Sequence, residues 1–102
     1  MSDKVEQIAI ASVTASTSGA EFVCNCGFSS VTRNGAGDYT LKLKEGHRTS
    51  HLVVLATRNN LVNGSIAASL TDREHIQILT FDEDSVPADS AFFVEVKHVD
   101  VD

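Results

Sequence analysis

The sequence predicts an all-β protein, an antiparallel β-sandwich or jelly roll of about eight short strands. Apolar and polar residues alternate over short segments, and Asn, Gly and Asp residues separate these segments. No long segment keeps the 3.6-residue period of an amphipathic helix. A length of 102 residues, 42% of them hydrophobic, fits one domain over residues 1–102 with a single core that needs no disulfide or metal.

The first half of the chain contains four predicted strands, at residues 5–14, 22–26, 28–33 and 38–43. In the first strand, Ile8 and Ile10 point to one side and the intervening alanines to the other. A polar loop over residues 15–20 follows it. The run Asn34-Gly35-Ala36-Gly37 is the clearest hairpin signal in the chain.

The second half contains four more predicted strands, at residues 51–58, 65–70, 75–81 and 92–101. The segment 51–58 is rich in Leu and Val, which favours a central position in a sheet. Residues 61–70 could instead form a short helix, because Ala67 and Ala68 are good helix formers. Pro87 falls in an acidic loop, where a missing amide donor costs nothing.

One face of each strand should supply the core. A shift of one residue in the register of any strand would turn its core side chains to the solvent and its solvent side chains to the core. The predicted core residues are Ile8, Ile10, Phe22, Phe28, Val31, Tyr39, Leu41, Leu52, Val54, Ile76, Ile78, Phe81, Phe92, Val94 and Val96.

The charge balance disfavours nucleic acid and membrane partners. The net charge is −6, and the eight Lys and Arg residues are scattered, whereas nucleic-acid binders carry a basic patch. The apolar runs are far shorter than a membrane span, and the first residues lack the pattern of a signal peptide. We therefore expect the protein to be made and folded in a cytoplasm.

Residues 29–43, Ser-Ser-Val-Thr-Arg-Asn-Gly-Ala-Gly-Asp-Tyr-Thr-Leu-Lys-Leu, resemble a pattern of small β-domains in bacteriophage structural proteins. In that pattern a Ser-Val-Thr strand meets a Gly-x-Gly turn and a Tyr-Thr-x-x-Leu-like strand. Residues 76–81, the acidic loop and residues 91–96 are similar to the closing strands of such domains. Together the two stretches cover about half of the chain.

The resemblance implies a virion structural protein that assembles as a homotrimer on a larger shell. Since no shaft precedes the domain in this sequence, we expect a capsid decoration or cement protein on the outer capsid surface, bound to the major capsid protein or another virion protein. Residues 1–14 and 99–102 are candidate assembly arms. The alternative is a receptor- or glycan-binding knob of a phage fibre or tail, which the absence of Trp disfavours.

The hairpin residues support the fold independently of the resemblance. Gly35 and Gly37 permit a positive φ at the turn, and Tyr39 opens the second strand. Arg33 and Asp38 flank the turn with opposite charges, and they face each other across the ladder if the loop is Asn34–Gly37.

The candidate reactive residues do not predict an enzyme. Cys24 and Cys26 share a face of a strand, where a disulfide between them is awkward and zinc lacks two further ligands. We expect both to be free and buried. No nucleophile motif accompanies the four histidines, which we expect to be solvated or to cap loops; they are His47, His51, His75 and His98.

The acidic loop is the candidate metal site. Clustered carboxylates repel one another unless a cation or a basic partner lies among them. The candidate ligands, for calcium, are Asp82, Glu83, Asp84 and Asp89. The alternatives are a solvated loop that discourages edge-to-edge aggregation and a contact with a basic patch on a shell subunit. No cofactor is expected.

Overall fold

The computed structural model describes residues 4–45, 51–59 and 63–100, and in these ranges eight strands form two four-stranded antiparallel sheets. The predicted all-β sandwich is confirmed. The strands are β1 (Lys4–Ser16), β2 (Gly19–Cys26), β3 (Phe28–Gly35), β4 (Asp38–Leu43), β5 (Leu52–Arg58), β6 (Gly64–Leu70), β7 (His75–Asp82) and β8 (Phe92–Asp100). In the described part of the chain, no helix is long and apolar enough to cross a membrane.

The first sheet has the strand order β2-β1-β8-β5, and the second sheet has the order β3-β4-β7-β6. The first and last strands of the chain are therefore neighbours in the middle of the first sheet. The strands β2 and β5 are the edges of that sheet, so β5 is not the central strand that its Leu and Val content predicted.

The core lies between the two sheets, and most of it was predicted. Phe28, Tyr39, Leu41, Ile76, Ile78, Phe92, Val94 and Val96 are fully or almost fully buried, and Leu52 is buried as well. The predicted core residues Ile8, Phe22, Val31 and Val54 are half-buried and pack against this core. The prediction for Phe81 is wrong, because the inward residues of β7 are Ile76, Ile78 and Thr80, and Phe81 lies on the outside of the second sheet.

A second predicted core position, Ile10, is also wrong. Its side chain is 43% exposed, while Ala9, Ala11 and Val13 fill the core in its place. The reason is a β-bulge between Gln7 and Ala9, where two residues of β1 oppose one step of β8. The bulge keeps Ile8 half-buried and reverses the alternation that follows it.

Gly27 connects the two sheets at the position of this bulge. Its φ of +97° lies in the region that favours glycine, and a Cβ there would lie 2.3 Å from the carbonyl oxygen of Ile8. Asn25 fixes the same connection, because its side chain exchanges two hydrogen bonds with the backbone of Phe28. The crossing from β2 to β3 is thus closely packed against β1.

Two other local predictions need correction. The loop predicted over 15–20 is a tight turn, since β1 continues to Ser16 and β2 begins at Gly19. The helix considered for residues 61–70 is not formed at 64–70, which pair with β7 as β6; residues 61 and 62 lie outside the described ranges. Pairing with β7 places Ile66 and Leu70 against the core, which outweighs the helix propensity of the alanines.

The predicted assembly arms fall mainly within strands. Residues 4–14 belong to β1 and pair with both β2 and β8 of the same chain. Val99 and Asp100 end β8, while residues 1–3 and 101–102 lie outside the described ranges.

Candidate functional site

The β3–β4 hairpin turns at Ala36 and Gly37, with Gly35 opposite Asp38. Gly37 has a positive φ of +66°, whereas Gly35 does not, so one of the two predicted positions requires glycine for its conformation. The Asn34 side chain donates hydrogen bonds to the side chains of Asp38 and Thr40. The loop is shorter than the predicted four residues, and this changes the partners of the flanking charges.

Arg33 lies opposite Tyr39 and not Asp38, so the predicted ion pair across the hairpin is wrong. The guanidinium of Arg33 instead binds the carboxylate of Asp89 through two hydrogen bonds, of 3.0 Å from Nε and 2.9 Å from a terminal nitrogen. Asp89 comes from the loop between β7 and β8. Such a planar two-bond contact is the strongest geometry available to an arginine and a carboxylate.

Asp89 accepts two further hydrogen bonds from the hairpin. The Gly37 amide donates at 3.0 Å and the Tyr39 hydroxyl at 2.7 Å. The Tyr39 hydroxyl also accepts a hydrogen bond from the Ser90 amide. We call Arg33, Gly37, Tyr39, Asp89 and Ser90 the Asp89 cluster. It ties the loop before β8 to the turn between β3 and β4.

The protonation states in the cluster follow from these contacts. The Arg33 guanidinium, followed by the Gly37 amide and the Tyr39 hydroxyl as further donors, holds the pKa of Asp89 well below its usual range. Burial, followed by the hydrogen bond that its hydroxyl donates to Asp89, raises the pKa of Tyr39 to about 12. At neutral pH the carboxylate is therefore ionised and the phenol is protonated. Because its donors already occupy it, Asp89 is poorly placed to act as a general base or a metal ligand.

The backbone around Gly37 completes this junction. A Cβ at Gly37 would lie 2.3 Å from the carbonyl oxygen of Thr80 and 2.8 Å from the amide of Ala88. The Thr80 amide donates to the Gly37 carbonyl at 2.8 Å, and its hydroxyl donates to the Ala88 carbonyl at 2.6 Å. The hairpin signal in the sequence thus marks a structural junction.

The carboxylates of the acidic loop have different contacts. Asp82 accepts hydrogen bonds from the backbone amides of Asp84 and Val86, which closes the turn after β7. Glu83 and Asp84 are exposed, and Asp89 belongs to the cluster above. Over residues 4–45, 51–59 and 63–100, no group of three or more His, Cys, Asp or Glu side chains could hold a metal ion.

The cysteines and histidines are separated in the structure. Cys24 and Cys26 are free and exposed, so their predicted burial is wrong. Because of the β1 register they lie outward, opposite Ser12 and Ile10. His75 contacts the Asp72 carboxylate at 2.8 Å in a loop of the second sheet, and His51 and His98 lie with their ring centroids 5.6 Å apart. His47 falls outside the described residues.

A second polar feature is an open cavity of about 500 Å³ at one end of the sandwich. Ile8 and Leu43 contribute apolar surface to it, and Glu6, Lys44 and His98 contribute charged or titratable groups. Glu6 and Lys44 are exposed, so water screens these charges. Neither cysteine lines the cavity.

The surface with the clearest functional character is the outside of the first sheet. We define the outer face as the outward side chains in register with Phe93, Glu95, Lys97 and Val99 of β8. Large apolar residues dominate it, and they are more than two-fifths exposed: Val5, Ile10, Val53, Leu55 and Phe93. Gln7, Ser12, Thr57 and the two cysteines complete the set from β1, β5 and β2.

The two charged residues of the outer face neutralise each other. The Lys97 ammonium lies 3.4 Å from the Glu95 carboxylate, which also accepts a hydrogen bond from the Gln7 side chain. Around this pair, Ile10, Leu55 and Phe93 line a shallow depression of about 300 Å³. Within these rows the outer face is thus apolar and without net charge on a chain whose net charge is −6, and the exposed Glu21 of β2 lies at its edge, opposite Thr14.

The outside of the second sheet is different. Its outward side chains are mostly hydroxyl, amide or charged groups, among them Thr32, Thr40, Lys42, Ser65, Ser69 and Gln77. Leu79 and Phe81 are the large apolar residues on that side, and both are half-buried. The two outsides of the sandwich therefore differ in polarity.

Sequence reasoning missed the outer face because it assigned Ile10 to the core and β5 to the centre of a sheet. The available signal was the run Leu52-Val53-Val54-Leu55, which is apolar in both phases of the strand alternation. In an edge strand such a run predicts that both faces are covered. The protein is an all-β sandwich with one apolar outer face. Searches against protein-family models, curated proteins and solved structures found no match to this chain.

Proposed function

We propose that this protein is a structural component of a bacteriophage particle, a decoration or cement protein that assembles as a homotrimer on the outer surface of the capsid. The partner is the major capsid protein or another virion protein. The observation that carries the proposal is the apolar, charge-neutral outer face of the first sheet. A surface of this kind is typical of a protein that works inside an assembly.

The fold and the Asp89 cluster are consistent with this role. The cluster fixes the loop before β8 through Arg33 and Tyr39, so the sandwich presents rigid surfaces. Three copies that bind neighbouring capsomers would raise the effective concentration of each contact, so weak individual contacts give tight attachment. The resemblance of residues 29–43 to phage β-domains is the reason for proposing a bacteriophage particle and not another kind of assembly.

The receptor- or glycan-binding knob is the less favoured alternative. Sugar sites use exposed aromatic rings, and of the six Phe and Tyr side chains in the chain, all within the described ranges, only that of Phe93 is exposed. Phe28, Tyr39 and Phe92 are fully buried in the core. No specific observation favours glycan binding over assembly.

Pelleting with capsids tests the proposal. Capsid shells from a phage in which the gene for this chain is disrupted provide an undecorated probe. Added protein should sediment with the shells, saturate at a fixed number of copies per capsomer, and raise the temperature at which the shells break. Shells presaturated with unlabelled protein serve as the control. If no saturable binding occurs at any protein concentration, the decoration function is excluded.

A further inference from the structure

We propose that the outer face of the first sheet is the surface through which copies of this chain bind one another. The inference rests on the proposed function in taking the protein to be a homo-oligomer. Beyond the proposed function, the inference identifies the surface that is buried between copies. Other parts of the molecule then attach the oligomer to the shell.

The first argument is the cost of leaving this face in water. Leu55 is 52% exposed, Phe93 46% and Val53 44%, and all three lie on adjacent strands of one sheet. Burial of apolar surface contributes about 25 cal/mol per Å². Monomeric soluble proteins rarely leave contiguous apolar patches larger than a few hundred Å². The face therefore favours a permanent cover.

The second argument is charge, and it selects the occupant. Two chains of net charge −6 repel each other at most of their surfaces. The outer face avoids this repulsion, because its charges, Glu95 and Lys97, pair within one chain. Identical faces can therefore meet without bringing unpaired like charges together. Any apolar partner could pack against these side chains. A second copy of the chain also matches the face electrostatically, because its own outer face carries no unpaired charge.

The third argument concerns timing. A decoration protein is free before it binds a shell. If the apolar face were the shell-binding surface, it would be exposed to solvent during that time and would promote aggregation. Another copy of the chain is present as soon as the protein is made. Association through the outer face leaves the polar second sheet and the acidic loop around Asp82–Asp84 free for contact with the shell.

The size of the face suits a small stable interface. Four strands about 4.8 Å apart, each contributing about six residues of roughly 3.3 Å rise, form a patch of about 20 Å by 20 Å. Because the side chains protrude from the sheet, the accessible area of the patch is larger than this flat area. It approaches the roughly 600–800 Å² per partner that small specific interfaces bury. In the proposed homotrimer each outer face is turned towards the three-fold axis, where its two neighbours share it.

The natural cysteines provide the first test. Both thiols of the chain, Cys24 and Cys26, lie on the outer face and are exposed in the single chain. Association through this face should slow their reaction with an aromatic disulfide reagent at least about tenfold. The control thiol is Thr32→Cys on the outside of the second sheet, in a chain whose two natural cysteines are serines. It should react equally fast in the associated and dissociated states.

Charge insertion provides the second test. Leu55→Asp on the edge strand β5 should convert the oligomer to monomers in light scattering at about 50 µM chain, and it should restore fast labelling of the cysteines. Ala67→Asp is the matched control, since it places the same charge on the edge strand β6 of the other sheet. Phe93→Lys is the second variant. It lowers the net negative charge and should still dissociate the oligomer.

Circular dichroism shows whether each variant keeps its strands, and the other variant decides the test if one fails to fold. A wild-type oligomer that survives both Leu55→Asp and Phe93→Lys, or one whose thiols react as fast as the control thiol, would overturn the assigned surface. A monomeric wild type would overturn it as well, while shell pelleting would still test decoration. An oligomer that dissociates as expected but binds no shell supports this inference and contradicts the proposed function.

Discussion

Asp89 binds four donors through one carboxylate, and these donors come from both strands of the β3–β4 hairpin and from the turn between them. Its side chain is 15% exposed and that of Arg33 20%. A carboxylate in this position must stay ionised, because a neutral group would leave Arg33 without its counter-charge. The contacts formed by Asp89 therefore couple its protonation to the stability of the fold.

Asp89→Asn should lower the free energy of unfolding by about 1–3 kcal/mol at pH 7, because it removes the charge partner of Arg33 and leaves donors poorly matched. The pKa of Asp89 is depressed in the folded state. Its contribution is therefore fully present above the unfolded pKa of about 4 and is lost as the pH falls through the folded pKa. Urea titrations of both proteins at equal chain concentration, between pH 7 and pH 3, should show the difference shrinking below about pH 4.

The matched control for this substitution is Asp84→Asn in the same loop. Asp84 is exposed, and the same chemical change there should alter the free energy of unfolding by less than about 0.5 kcal/mol. A difference between wild type and Asp89→Asn that stayed constant down to pH 3 would show that the carboxylate is not held ionised by the cluster.

At the scale of elements, β1 shows how a single extra residue decides which face of a strand is buried. The bulge at Ile8 lets Ile8 and Ala9 both approach the core side, and it turns Ile10 outward. Gly27 packs against the same place, so the bulge and the crossing between the sheets fix each other. The consequence is a core with small residues along β1 and a large apolar residue on the outside.

Alternation and turn chemistry predicted eight strands, because each segment buries one face. Residues 61–70 were left open between a strand and a short helix, and pairing with β7 decides for the strand at 64–70. The strand order and the bulge were not predictable in the same way, since a bulge is a property of the pairing with β8 and not of β1 alone. For the site, the sequence predicted that Arg33, Gly37 and Tyr39 matter together. It could not predict Asp89 as their partner, because that contact spans 56 residues and depends on where the closing loop lies.

Ala11→Leu should destabilise the protein by about 1–3 kcal/mol, because Ala11 is 2% exposed in the layer between the sheets and a larger side chain overpacks it. Thermal unfolding followed by circular dichroism measures the effect. Thr14→Leu adds similar bulk at an exposed position of the same strand and should change stability by less than about 0.5 kcal/mol. Equal effects of the two substitutions would contradict the inverted alternation of β1.

At the scale of the whole molecule, the distribution of charge separates two kinds of surface. The outer face carries an internally paired Glu95 and Lys97, so the net charge of −6 resides elsewhere on the chain. Polar loops such as the one containing Glu83 and Asp84 are exposed and acidic. Copies that associate through the outer face must therefore do so against the long-range repulsion of the remaining surface.

This repulsion gives the proposed self-association a defined salt dependence. Raising the salt concentration from about 0.02 M to about 0.5 M shortens the distance over which charges act from roughly 20 Å to roughly 4 Å. The repulsion between chains should weaken while the apolar contact persists, so the concentration at which the oligomer dissociates should fall several-fold. Sedimentation equilibrium at the two salt concentrations measures this change. Dissociation that instead becomes easier with salt would show an interface built on opposite charges, because screening weakens such contacts, and the neutral outer face would then not be the one that binds.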